Sequence, residues 1–386
     1  MLVDNAGAGQ TKTETALTKK RILIVVTFAN VAGAQIAALR LARGLKQRGH
    51  DPRVVFLYQQ VEIKDPYHPY EVILPRDRPG FKGYLQILIT MIKIVRNSKP
   101  DVVLTFLPLA HAVGQGAALL GRVRRRVAAH RMPINTAQRI LRMTDLVYAW
   151  LGVYTNVTAV SRSVMQTCEA YPRWLKKRAK VIYNGLVDWN TSSLSQQEAR
   201  ARFAIPNSPL ILVTVGRFVP QKNYRLLLRI MCELEDAIVV VAGDGPLREA
   251  IEREIDELGL RKRVLLLGNL EREEIPHLLA ACDLFIQTSK YEGNSNSMLE
   301  ALASGSVIVA HDIPEQREVM ADEGSCRVAG VLVPMDDLEV WVAEIRRLAE
   351  DSTLRQRVRQ LAMQRAKQFN YKQMIDEYEK IVASDL

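Results

Sequence analysis

The chain is poor in cysteine. Cys168, Cys232, Cys282 and Cys326 are its only four, far apart and without metal-ligand spacing. It also lacks an apolar leader; residues 1–20 are small and polar and read as a flexible tail. Both features point to a reducing cytoplasm. No stretch approaches the roughly 18 apolar residues of a membrane span, so none is expected. Aromatic residues make up only 6% and no RNA- or DNA-binding motif is visible, which argues against a nucleic-acid partner. No Asp-x-Asp tripeptide occurs and no His, Cys or Asp cluster has ligand spacing, so no metal is expected.

Negative charge is scarce in the first half. Residues 1–190 carry 29 Lys and Arg against 11 Asp and Glu, a net of +18, whereas the remainder nets −7. Such asymmetry points the first half toward something anionic, for example a membrane surface. Two clusters concentrate the charge: Arg122, Arg124, Arg125 and Arg126, then Arg173, Lys176, Lys177, Arg178 and Lys180. Either is equally what a solvated basic face would look like.

At 386 residues the chain exceeds the roughly 250–300 at which a single core stops growing, so two domains are expected. In the first half the apolar runs Ile22–Val26, Val54–Leu57, Val102–Leu104, Val127–Ala129 and Val157–Val160 alternate with helix-length segments. The second half repeats this with Leu210–Val215, Ile238–Ala242, Val264–Leu267, Leu284–Gln287 and Val307–Ala310. Short, nearly continuous apolar strands between helices predict parallel sheets covered on both faces. The expected plan is therefore α/β, with two doubly wound Rossmann-like domains facing across a cleft. They should span 21–186 and 207–370, joined by a polar linker at 187–206, with a last helix near 371–386 packing back on the first domain. Ligands should then sit at the carboxyl ends of the strands.

Three strand exits in the second half carry the readable chemistry. Gly216-Arg217 and Gln221-Lys222 follow one strand, and an arginine–lysine pair there can neutralise a diphosphate. Gly243-Asp244-Gly245-Pro246 is a tight turn after the next strand, and Gly268-Asn269-Leu270 after the third can present backbone groups to a base. Tyr291-Glu292-Gly293-Asn294-Ser295-Asn296-Ser297-Met298-Leu299-Glu300 then reads as a loop entering a helix that stops at Gly305. Backbone N–H groups at such a start attract anions. A carboxylate on each side of the junction can hold neutral hydroxyls flanking a bound phosphate.

These segments, in this order and at these separations, resemble glycosyltransferase family 4, the retaining enzymes of the GT-B fold. The resemblance is strongest over about residues 207–345 and extends more weakly to Ala32-Gly33-Ala34-Gln35, Val160–Val164 and Val181–Gly185. The chain departs from the family pattern at Gln35, often acidic, at Ala32, often glycine, and at Asn294, often aromatic.

The resemblance implies a metal-independent, hexosyl-type transfer that retains anomeric configuration, from a nucleotide-sugar, UDP-linked by expectation, with no further cofactor. It gives Arg217 and Lys222 the donor diphosphate, with Asn296, Ser297 and Gly33 completing the phosphate cradle. Glu300 takes the ribose hydroxyls and Glu292 the transferred sugar; Gly243 and Leu270 fall among the donor contacts. Glu292, Arg217 and Lys222 make up the catalytic group, together with His111 and His130, which follow strands pointing into the cleft. A lone histidine is also a common structural hydrogen-bonder. Arg131, beside His130, is the candidate for an acceptor phosphate.

The expected acceptor is a glycan or polyprenyl-linked sugar in bacterial cell-surface polysaccharide assembly. The apolar, partly basic segment Gly83–Arg96 reads either as a surface-lying membrane helix or as an ordinary packing helix. The protein would then be cytoplasmic and peripheral on the inner face of the membrane. Two other readings stay open: a nucleotide-sugar 2-epimerase of the same fold, and a non-catalytic basic binding protein.

Overall fold

The computed structural model describes residues 19–63, 67–76, 79–187, 189–321, 328–334 and 337–384. Residues 1–18 of the expected tail, and Cys326, lie outside the described residues.

Seven strands form the first sheet: β1 (Arg21–Ala29), β2 (Asp51–Gln59), β3 (Tyr70–Leu74), β4 (Val102–Phe106), β5 (Arg125–His130), β6 (Asn156–Ala159) and β7 (Ala179–Val181). Their spatial order is β3-β2-β1-β4-β5-β6-β7, with every pairing parallel. Six more form the second: β8 (Leu210–Val215), β9 (Ala237–Ala242), β10 (Val264–Gly268), β11 (Leu284–Gln287), β12 (Val307–His311) and β13 (Val331–Val333). They run in the order β10-β9-β8-β11-β12-β13, again all parallel. The strand order reverses between β1 and β4 and between β8 and β11, and parallel sheets of this kind bind ligands outside such points.

Each sheet buries both faces, because alternate residues of the same strand enter different cores. Ile22, Ile24 and Val26 of β1 pack on one side while Leu23 and Val25 pack on the other. The second sheet divides in the same way, with Leu212 on one side and Ile211 and Val213 on the other. Three strands went unread in the sequence: β3, β7 and β13. All lie at sheet edges; β7 and β13 have only three residues each, and Glu71 and Lys180 interrupt the apolar character of β3 and β7.

Two expectations need correction. The polar stretch 187–206 is not simply a linker, because Gln196–Arg202 forms a helix closed by a Ser195–Glu198 capping box. Arg200 pairs with Asp283 at 2.8 Å and Arg202 with Glu274 at 2.6 Å, which ties this helix to the second domain. In the basic cluster at 122–126, only Arg122 and Arg124 are exposed. Arg126 donates to the carbonyls of Val123, Gly152 and Val153, and Arg125 to those of Ile381 and Val382. Half of that cluster is internal scaffolding. The last helix, Tyr371–Ala383, contributes Met374, Ile375 and Tyr378 to the core of the first sheet, so the chain crosses between the domains twice.

Candidate functional site

The loop leaving β8 is folded tightly. Gly243, with φ +144°, lies so close to Gly216 that a β-carbon on it would sit 2.0 Å from the Gly216 carbonyl oxygen. Gly243 is therefore needed for backbone packing and does not line the cleft, which corrects its assignment as a donor contact. Tyr224 Oη donates to the Gly216 carbonyl at 2.6 Å, and Thr288 Oγ1 donates to the Lys222 carbonyl at 2.9 Å. These bonds turn Lys222 toward the exit of β11.

There Lys222 Nζ meets Glu292 Oε1 at 2.7 Å. Gln221 Nε2 donates to Glu292 Oε2 at 3.2 Å and Gln287 Nε2 to Oε1 at 3.3 Å. A buried carboxylate is stable only when so paired. Arg217 stands half-buried on the same loop, its guanidinium pKa lowered by desolvation. Among the described residues its side chain has no hydrogen-bond or ion-pair partner.

The helix Asn296–Ala303 starts at Ser295, whose side chain turns to Gln287 Oε1 at 3.2 Å and does not cap the helix. The first amides of the helix therefore face the cavity without a side-chain cap. Across the cleft Gly33, at the end of the loop after β1, comes so near that a β-carbon would lie 3.4 Å from Asn296 Nδ2. One turn into the helix, Glu300 lines the cavity. Burial pushes its carboxyl up to about 7, with Arg40 and Arg272 pulling the other way.

The cavity between the domains measures about 980 Å³, and Gly33, Arg217, Lys222, Leu270, Glu292, Asn296, Ser297 and Glu300 all line it. That volume is at the upper end for small-molecule sites. Sequence reasoning missed one wall. Arg40 and Arg272 approach the same tyrosine from opposite domains, donating to Tyr67 Oη at 3.1 and 2.8 Å. Arg40 carried a readable signal, a charge on the buried side of the Gly33–Gln47 helix. Arg272 had only its place just beyond a strand exit.

Contacts across the cleft hold the domains face to face. Asn184 donates through Nδ2 to the Asn294 carbonyl at 2.8 Å and to Asn296 Oδ1 at 2.9 Å. A β-carbon on Gly293 would lie 1.9 Å from the Arg131 carbonyl oxygen, so only glycine fits there. Glu318 reaches from the second domain to the amides of Arg162 and Ser163 at 2.6 and 3.0 Å.

The two histidines are elsewhere. His111 and His130 wall a separate cavity of about 160 Å³ that shares Leu107, Arg131 and Met132 with the main one. Their rings meet at 4.8 Å. His111 Nδ1 is 2.7 Å from Thr105 Oγ1, and His130 Nε2 is 3.0 Å from Tyr171 Oη, which also bonds Asp145. Burial lowers both imidazole pKa values, with His130 depressing His111 further and Asp145 partly restoring His130. His111 opens a π-helical turn, His111–Gln115, and its ring turns back to Thr105 on β4. Arg131 reaches the main cavity, but its guanidinium bonds Asn184 and stacks 5.4 Å above Phe106.

Two parallel α/β sheets, with a cleft lined from the strand exits of both, make up the two-domain GT-B architecture. Known proteins agree. The glycosyl transferases group 1 model matches residues 195–365 and the glycosyltransferase family 4 model matches residues 31–188. The lipopolysaccharide core biosynthesis glycosyltransferase LpsD of Rhizobium meliloti is 28% identical over 334 residues, covering 86% of this chain and 89% of that protein. The UDP-Gal:alpha-D-GlcNAc-diphosphoundecaprenol alpha-1,3-galactosyltransferase of Escherichia coli is 24% identical over 292 residues, covering 70% and 72%. Anabaena HepE, solved with UDP and glucose, superposes with a TM-score of 0.81 at 22% identity, covering 95% of this chain and all of that one. The chain belongs to glycosyltransferase family 4 and is a glycosyltransferase.

Proposed function

We propose that the protein moves a sugar, with retention, from a UDP-linked donor to a glycan or lipid-linked acceptor in bacterial cell-surface polysaccharide assembly. The observation that carries this reading is that Arg217, Lys222, Glu292, the Asn296 helix start and Glu300 all line one cavity between the domains. In it Arg217, Lys222 and the helix amides neutralise the diphosphate, most strongly as charge develops on the leaving group. Glu300 accepts from the ribose hydroxyls, and Glu292, already held by Lys222 and two glutamines, faces the sugar.

The acceptor enters on the first-domain side, beside Arg131 and the smaller cavity. The names of the R. meliloti and E. coli relatives, a lipopolysaccharide core enzyme and a diphosphoundecaprenol galactosyltransferase, support an envelope acceptor. No helix among the described residues is long and apolar enough to cross a membrane, so a lipid-borne acceptor would be met at the membrane surface.

The experiment is a panel of nucleotide-sugars screened for thermal stabilisation, followed by product analysis. A donor at 100 times its Kd should stabilise the folded state by about 2.7 kcal/mol. Stabilisation by a UDP-sugar, with transfer only when acceptor is added, supports the reading. Conversion of the sugar without any acceptor would make the protein an epimerase.

A further inference from the structure

Large apolar side chains are exposed on this protein very unevenly. Of eighteen such residues among those described, thirteen fall between Phe81 and Trp174, and the second domain has only Leu258, Val340 and Met363. The helix Phe81–Ser98 exposes Phe81, Tyr84, Leu85, Leu88 and Ile89. The helix Arg139–Trp150 exposes Ile140, Met143, Val147 and Trp150, a single stripe at helical spacing, and Leu151 extends it. Between them the short helix Gly116–Leu120 packs on the first and adds Leu119 and Leu120. All three cover the same side of the first sheet, opposite the Tyr371–Ala383 helix.

Charge runs through this layer. Residues 81–178 hold sixteen Lys and Arg against three acidic residues, Asp101, Asp145 and Glu169. Asp145 is buried, whereas Lys82, Lys93, Arg96, Arg139 and Arg142 are exposed among the apolar side chains. Exposed apolar area beyond a few hundred Å² marks an interaction surface. Long cationic side chains can lay their stems on an apolar layer while their heads reach outward.

We propose that this three-helix layer docks the enzyme on an anionic lipid surface, with the apolar side chains at headgroup depth and the cations on lipid phosphates. The proposal rests on the reading of the acceptor as lipid-linked and names the surface on which that acceptor is met. A second copy of the chain is disfavoured as occupant, since a self-complementary contact would set this basic layer against itself. Lipid of opposite charge matches both the stripe and the cations.

The helix Arg139–Trp150 also links the layer to the chemistry. Its outer stripe is exposed, while Leu141 and the buried Asp145 wall the small cavity beside the main cleft, and the exposed Arg142 stands at that cavity's edge. Docking through this helix brings that cavity to the membrane surface, and the segment Gly83–Arg96 becomes one part of a broader face.

The test is co-sedimentation of the full chain with vesicles of phosphatidylcholine alone or with 30% phosphatidylglycerol, alongside calorimetry of UDP binding. The parent should bind only the anionic vesicles and be released as salt is raised. The double substitution Ile140→Ser with Trp150→Ser should weaken vesicle binding at least tenfold and leave UDP affinity unchanged. Leu258→Ser with Val340→Ser, on the second domain, should change neither. Equal binding to neutral vesicles, undiminished binding by the Ile140/Trp150 variant, or a concentration-dependent dimer abolished by that variant would each overturn the proposal. Loss of UDP binding by the parent would instead strike at the glycosyltransferase reading and leave the docking result standing.

Discussion

Lys222 and Glu292, seventy positions apart in the chain, form an ion pair at 2.7 Å in the lining of the cleft between the domains. The cation proposed for the diphosphate and the carboxylate proposed for the sugar therefore share one hydrogen-bonded unit. Removing either leaves the other buried without its counter-charge, and such a half-pair costs more than a lost surface contact. This coupling makes Arg217, which has no such partner among the described residues, the cleaner probe of diphosphate binding.

Arg217→Ala should lower turnover more than tenfold with little change in melting temperature. One electrostatic donor to a developing anion typically contributes about 2–4 kcal/mol to the transition state. Lys222→Ala should lose as much activity and also lose thermal stability, through Glu292. Steady-state rates and thermal melts of both variants check this; normal turnover in Arg217→Ala would remove the diphosphate assignment.

Glu300→Gln should weaken binding of UDP and of the nucleotide-sugar alike, by about 1–3 kcal/mol, because an amide accepts less strongly from two ribose hydroxyls. Glu292→Gln should spare UDP binding while lowering turnover. Calorimetry of both variants with both ligands separates the roles. Should Glu292→Gln be the variant that loses UDP, the donor lies in the cleft the other way round.

The Glu300 carboxyl, raised to about 7 from the ordinary carboxylate range, gives a pH dependence of known sign. The folded, ligand-free protein holds a proton here that the unfolded chain releases near pH 4.5, so this group's contribution to stability falls as pH rises from about 4.5 to 7. The ribose contact proposed for Glu300 needs the ionised form, so nucleotide-sugar affinity should fall as pH drops below about 7. Titration calorimetry between pH 5.5 and 8 should show this slope in the parent and its absence in Glu300→Gln.

His111 has the opposite sign. Burial and the nearby His130 hold its imidazole well below the ordinary value of 6.5, so the folded state resists a proton that the unfolded chain takes up. Its contribution is complete above about pH 6.5 and is lost as pH falls toward its depressed folded value. Thermal melts from pH 7 to 5 should fall more steeply for the parent than for His111→Gln, which cannot titrate.

Gly293→Ala should separate packing from chemistry. The added carbon would lie 1.9 Å from the Arg131 carbonyl oxygen of the facing domain, so the domains must part. A displacement of about 1 Å between catalytic groups can cost on the order of 100-fold in rate. kcat/KM should fall by that order, with a larger radius of gyration in small-angle scattering. An unchanged scattering profile with normal activity would show that the cleft is not set by this contact.

Much of the frame is legible in the sequence. The apolar runs that became β1 and β8 are long and central, so local pattern and global burial agree. β3, β7 and β13 escaped because an edge strand of three to five residues is held by its neighbour more than by its own pattern. The helix at 196–202 hid in a polar stretch, since its stability comes from a capping box and ion pairs to the second domain.

The sequence by itself determined the two parallel sheets and the strand exits that carry Arg217, Lys222, Glu292 and Glu300. Strand runs, glycine turns and helix starts are local signals, readable within a dozen residues. Only the tertiary structure decided that Lys222 would meet Glu292, that His111 would turn inward to Thr105 and that Arg40 and Arg272 would converge on Tyr67. Those contacts join segments brought together by sheet order, domain approach or an unforeseen π turn, and no local period encodes them.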